Sequence, residues 1–213
     1  KALSAYMTAS TNFAGARTAT LSAATQLYGA GSADYAAVAQ AWCAVGVGTC
    51  STGTPTPGTE LFTNGGFETS VAPWVMSGSG AVYTAAGNFP HGGTGYIYFG
   101  AATSVNGQTY QTITIPAATS PTLRFWLNTT SAETTTTIQY DKLFVEVLNN
   151  SGTLLTTLAT YSNLNKVATG SDYSQKSFSL APYAGQTVRI QFRTTNDSSS
   201  ITTFRVDDAS ATY

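Results

Sequence analysis

The sequence predicts a mainly β protein, with a short N-terminal α-helical segment followed by a two-sheet antiparallel β-sandwich of jelly-roll type. Three observations carry this. Before residue 48, alanine-rich stretches repeat apolar side chains at spacings of three and four. After residue 60, short runs alternate apolar and polar residues and are separated by Gly, Asn, Ser and Pro. Between them, STGTPTPGTE sets Pro55 and Pro57 among Gly53, Gly58 and small hydroxyl residues, the composition of an extended connector. The division is a helical segment over 1–48, a linker over 49–60 and a β domain over 61–213.

In the helical segment, Thr11 or Asn12 caps a first helix whose stripe is Phe13, Ala16, Ala24, Leu27 and Tyr28, and Gly29 ends it. Ser32 caps a second helix, with Asp34 placed in its first turn against the positive end of the helix dipole. Tyr35, Val38, Ala39, Trp42 and Val45 form the second stripe, which Gly46 and Gly48 stop. Two short helices cannot close a core by themselves, so their apolar faces require a further partner. Cys43 and Cys50, the only cysteines, are spaced so that the chain can fold back into a disulfide pinning the helix end to the linker. Two unpaired thiols are the other reading; the disulfide would imply an oxidising compartment.

The β domain offers candidate strands over 60–67, 80–84, 95–100, 109–115, 122–128, 142–149, 154–160, 174–180, 187–193 and 202–213. Asn150-Ser151-Gly152 makes a tight turn between two of them. Alternation assigns Leu123, Phe125, Leu127, Leu143, Val145, Val147, Val188, Ile190 and Phe192 to the core face. The opposite face carries Arg124, Trp126, Lys142, Phe144, Glu146, Arg189, Gln191 and Arg193.

Charged residues make up 9% of the chain and the formal net charge is −1. No basic field exists to attract nucleic acid or an anionic membrane. No apolar run approaches the roughly 20 residues of a membrane span. A surface wetted by Thr, Ser, Asn and Gly in place of charges has the look of a secreted, extracellular bacterial protein. The chain opens without an initiator Met or a basic-then-apolar signal segment, so it reads as the C-terminal part of something longer.

The helical stretch carries a specific signature. Tyr6, Thr8, Asn12, Phe13 and Arg17, then Ala23, Ala24, Leu27, Tyr28 and Gly29, then Ala41, Ala44, Val45, Gly46 and Val47 follow one collinear pattern. It resembles the last helices of the thermolysin family of secreted zinc metallopeptidases. The resemblance implies an upstream peptidase domain as the missing partner of these helices. A zinc centre of that family needs two histidines one helical turn apart with an adjacent glutamate. This chain has one histidine, His91, and no HExxH. No catalytic residue is carried over, and zinc belongs only to the upstream part of the parent.

The β domain is similar to jelly-roll accessory modules, among them calcium-containing carbohydrate-binding modules and meprin-type adhesion modules. The carrying motifs are LFTNGGFE followed by Trp74, then PHGGTGYIYFG, then TTFRVDDASATY at the end. The resemblance implies a structural calcium near Glu68, Asp207 and Asp208, with carbonyls from the turn at 64–66. The face carrying Trp126, Phe144, Arg124, Arg189 and Gln191 is the candidate ligand surface, for polysaccharide or for protein substrate. The same Trp126 alternatively sits under a loop as a second small core. His91 reads as a turn or packing residue and Trp74 as core filling. No base accompanies the many Ser and Thr residues, so no nucleophilic triad is visible.

The expected function is therefore the non-catalytic end of a secreted metallopeptidase, with a β module for substrate or surface binding. The alternative is a structural or secretion-assisting module with no ligand beyond calcium.

Overall fold

The computed structural model describes residues 5–28, 33–47, 58–117 and 119–213. The chain divides into two compact units, Lys1–Thr59 and Glu60–Tyr213.

The first unit holds α1 (Phe13–Tyr28) and α2 (Ala33–Ala44). Asn12 starts α1: its Oδ1 accepts the Gly15 N–H at 2.9 Å, and its carbonyl accepts the Ala16 N–H at 2.8 Å. Gly46 stops the second helical run with a φ of 76°, and its N–H returns to the Cys43 carbonyl. In α1, Ala19, Leu21, Ala23 and Ala24 are buried. Trp42 Nε1 crosses to Thr20 Oγ1 at 2.7 Å. The two expected stripes are corrected in part: Ala24 is buried and Tyr35, Val38, Ala39 and Trp42 are half-buried, but Phe13 is 76% exposed, Leu27 55% and Val45 69%. Bulky side chains on two helices have no second layer to enter, which is the deficit a third partner removes. The caps assigned to Gly29 and Ser32, the stop at Gly48 and the Cys50 half of the expected disulfide lie outside the described residues.

The second unit is a sandwich of two five-stranded antiparallel sheets. Its strands are β1 (Val75–Gly78), β2 (Ala81–Thr84), β3 (Tyr96–Gly100), β4 (Asn106–Thr114), β5 (Thr122–Ser131), β6 (Lys142–Asn149), β7 (Leu154–Ser162), β8 (Ser174–Ser179), β9 (Thr187–Thr195) and β10 (Thr202–Thr212). One sheet has the order β1-β4-β9-β6-β7 and the other β2-β3-β10-β5-β8. Consecutive strands change sheets repeatedly, the crossover pattern of a jelly roll. All nine side chains assigned to the core face are buried, and they fill the space between the sheets together with Phe67, Trp74, Phe99 and Phe204. Trp74 lies 4.8 Å from the Phe62 ring and 5.4 Å from Phe67, as a packing residue should.

The strand expected over 60–67 does not form. Glu60 makes an isolated bridge to Thr212, and the chain then turns, with Asn64 and Phe67 at φ values of 57° and 55°. Left-handed residues cannot continue a ladder. Gly65 passes so close to the Ala209 carbonyl that no Cβ fits there. β1, paired to β4, is an edge strand of the other sheet and has no counterpart among the candidate strands. β10 carries a register shift between Asp207 and Ser210, with Asp208 at a φ of 45°.

Candidate functional site

The residues expected on one ligand face are divided between the two sheets. Arg124 and Trp126 stand on β5, while Phe144, Arg189 and Gln191 stand on β6 and β9 of the other sheet. Alternation alone cannot tell the two outward faces of a sandwich apart.

The outer face of β5 and β10 is covered near Trp126. Asp207 pairs directly with Trp126, and the turn at 91–94 folds over both. The His91 ring stacks on Trp126 at 3.9 Å with an interplanar angle of 16°. Asp207 is fully buried. Its Oδ2 accepts the N–H groups of His91 at 2.8 Å and Gly92 at 3.2 Å, and its Oδ1 accepts the Asp208 N–H at 2.8 Å. Burial pushes the Asp207 carboxyl up to about 6, against the pull of these three backbone donors. Trp126 is thus half-buried beneath a loop, and Arg124 reaches Thr212 Oγ1 at 3.2 Å.

Glu68, Asp207 and Asp208 do come together at this turn. Glu68 Oε2 accepts the Thr94 N–H at 2.8 Å, and Asp208 Oδ2 lies 2.6 Å from His91 Nδ1. The other oxygens of these two groups flank Gly66: the position of a Cβ there lies 3.5 Å from Asp208 Oδ1 and 4.0 Å from Glu68 Oε1. The donor set suits a hard cation at Glu68 and Asp208, with Asp207 spent on backbone. Among the described residues, no three His, Cys, Asp or Glu side chains are gathered into a metal cage.

The outer face of the other sheet carries half-buried Tyr110, Phe144 and Arg193 around buried Glu146 and Gln191. Register places Val75, Tyr110, Gln191, Glu146 and Thr157 in one row across β1, β4, β9, β6 and β7, and Ser77, Gln108, Arg193, Phe144 and Thr160 in the next. Glu146, 2% exposed, accepts Arg193 Nη2 at 2.6 Å and Nε at 3.1 Å, and Gln191 Nε2 at 2.9 Å. The Arg193 guanidinium stacks 4.2 Å from the Phe144 ring centre, and that of Arg189 4.8 Å from Tyr110. Arg189 Nη2 also donates to the Asn150 carbonyl at 2.6 Å. A shallow cavity of about 260 Å³ opens beside Arg193, lined also by Ser77 and Gln108. Tyr110 and Gln108 were outside the expected set, although alternation along 109–115 carries the signal that puts Tyr110 on the outward side.

Among the described residues, no helix is long and apolar enough to cross a membrane. Residues 1–47 match the family model of the thermolysin metallopeptidase, alpha-helical domain. A comparison with curated proteins finds no match. Among solved structures, the carbohydrate-binding module TmCBM61, in complex with beta-1,4-galactotriose, superposes with a TM-score of 0.54 at 16% identity, covering 72% of this chain and 97% of that one. An adhesin domain of Lys-gingipain from Porphyromonas gingivalis gives 0.49 at 14% identity, over 72% of this chain and 98% of that one. The xylan-binding domain CBM22-1 of Paenibacillus barcinonensis Xyn10C gives 0.47 at 9% identity, over 73% and 95%. The chain joins a stretch that matches the thermolysin metallopeptidase alpha-helical domain to a β-sandwich with the fold of carbohydrate-binding modules.

Proposed function

We propose that this chain is the non-catalytic end of a secreted thermolysin-like metallopeptidase, and that its β-sandwich binds a hydroxyl-rich polymer, a polysaccharide first of all, on the outer face of β1-β4-β9-β6-β7. The observation that carries the reading is the group of half-buried Tyr110, Arg193 and Phe144, set over buried Gln191 and Glu146 and beside a cavity, while the opposite face is covered at Trp126. The half-buried Arg193 guanidinium, held rigid by buried Glu146, offers a planar donor to the hydroxyls of a sugar, and the Tyr110 and Phe144 rings offer stacking surfaces. Exposed Phe13, Leu27 and Val45 support an upstream peptidase domain as the partner of the helices.

Affinity gel electrophoresis tests this. Tyr110→Ala is expected to weaken retention on the bound polysaccharide about 10-fold, the worth of one aromatic contact, with only a small drop in melting temperature from the lost Arg189 stacking. Trp126→Ala is expected to leave retention intact and to lower stability. A wild-type protein retained by no polysaccharide overturns the proposal and leaves a purely structural module.

A calcium ion held by Glu68 and Asp208 would neutralise two carboxylates that have no Lys or Arg partner among the described ion pairs. The ion would fix the 91–94 turn on β10. Excess chelator is then expected to lower the melting temperature by roughly 5–10 °C. Glu68→Gln should lose most of this chelator-induced drop.

A further inference from the structure

A second group of acidic side chains lies where β5 and β9 end and β6 and β10 begin. Glu133 is 6% exposed, Asp141 fully buried and Asp197 half-buried. Each is fixed by backbone. The Glu133 N–H donates to Ser131 Oγ at 3.0 Å, and that hydroxyl pairs with Thr202 Oγ1 at 2.7 Å. The Asp141 carbonyl accepts the Asn163 N–H at 3.2 Å, and its Oδ1 accepts the Asp197 N–H at 2.9 Å. The Asp197 carbonyl in turn accepts the Ser104 N–H at 2.5 Å.

What this network leaves over is specific. Glu133 Oε1 and Asp141 Oδ2 are buried and have no hydrogen-bond partner. Burial, then repulsion from Asp197 and Asp141, holds the Glu133 carboxyl above the usual carboxylate range, with Lys166 pulling the other way. Lys166 does not pair with these carboxylates, because its Nζ donates to the Glu133 backbone carbonyl. A buried carboxylate oxygen without a donor is costly, and two of them among like charges call for positive charge between them. Water supplies donors but no charge.

The geometry points to a divalent-cation site, suited to calcium, in which Glu133 and Asp141 are the charged ligands and Asp197 adds negative potential. Calcium accepts mixed sets of carboxylate and neutral oxygens, and the backbone carbonyls and hydroxyls of these converging loops are of that kind. With only two carboxylates the site is a weak one, in the range of extracellular modules. It is separate in sequence and in contacts from the turn at Glu68 and Asp208, and it does not depend on sugar binding.

The test is a reversal of sign. In chelator, Glu133→Gln relieves like-charge repulsion and is expected to raise the melting temperature; in excess calcium the same variant loses a ligand and is expected to melt below wild type. Shifts of roughly 3 °C in each direction are expected. A rise under both conditions means an acidic cluster only and overturns the site. Asp141→Asn provides the same comparison if Glu133→Gln fails to fold. Equilibrium dialysis of Glu68→Gln against millimolar calcium separates the two sites: one calcium per chain is expected to bind, and none binding overturns this inference whatever the fate of the other.

Discussion

Arg193→Ala is expected to destabilise the β-sandwich by about 3 kcal/mol, read as a lower midpoint in denaturant with an unchanged slope. The reason lies in what remains. Glu146 is 3% exposed at its side chain and would keep only the Gln191 amide as a donor. Phe144 would lose the guanidinium that stacks on it. Arg193 itself is one-third exposed, so water offsets part of the loss and the figure stays at the low end for a broken buried pair. Replacing both partners with leucine removes the stranded charge and is expected to recover much of the stability. A single variant within about 0.5 kcal/mol of wild type would show that the pair is held by surface solvent, not by burial.

Asp207→Ala is expected to cost about as much, around 3 kcal/mol, by a different route. Three N–H groups, those of His91, Gly92 and Asp208, would lose the buried carboxylate that accepts them all. The 91–94 turn would then be free to lift from Trp126, so the effect should also appear as a rise in amide hydrogen exchange over residues 91–94. Asp207→Asn keeps one acceptor and is expected to fall between the two. Unchanged exchange in that turn would mean that His91 and Thr94 contacts suffice to hold it.

Much of the sandwich was legible because alternation reports burial directly: Leu123, Phe125 and Leu127 cannot exchange faces with Arg124 and Trp126 without exposing the core. What alternation does not encode is the neighbour. β5 and β6 are adjacent in sequence but belong to different sheets, so Trp126 and Phe144 look alike in pattern and stand on opposite outer faces. The strand expected over 60–67 failed for a local reason, since TNGGF supplies the residues of a left-handed turn and alternation had counted them as pleat. Glu133, Asp141 and Asp197 gave no sequence signal at all, because their grouping depends on which strand ends the crossovers bring together. In the helical stretch, periodicity located the helices but misjudged the buried side, where alanines, not Phe13 or Leu27, are buried.

The register shift in β10 sets which of its side chains face the core. Phe204 and Val206 point inward before it, and Ala209 and Ala211 point inward after it, so the strand holds one residue more than its partner requires. Excising Asp208 would return every inward side chain to a regular two-residue repeat. The sandwich can therefore gain or shed this carboxylate by a single-codon insertion or deletion, leaving the interior untouched, which makes the turn chemistry of the module separable from its architecture.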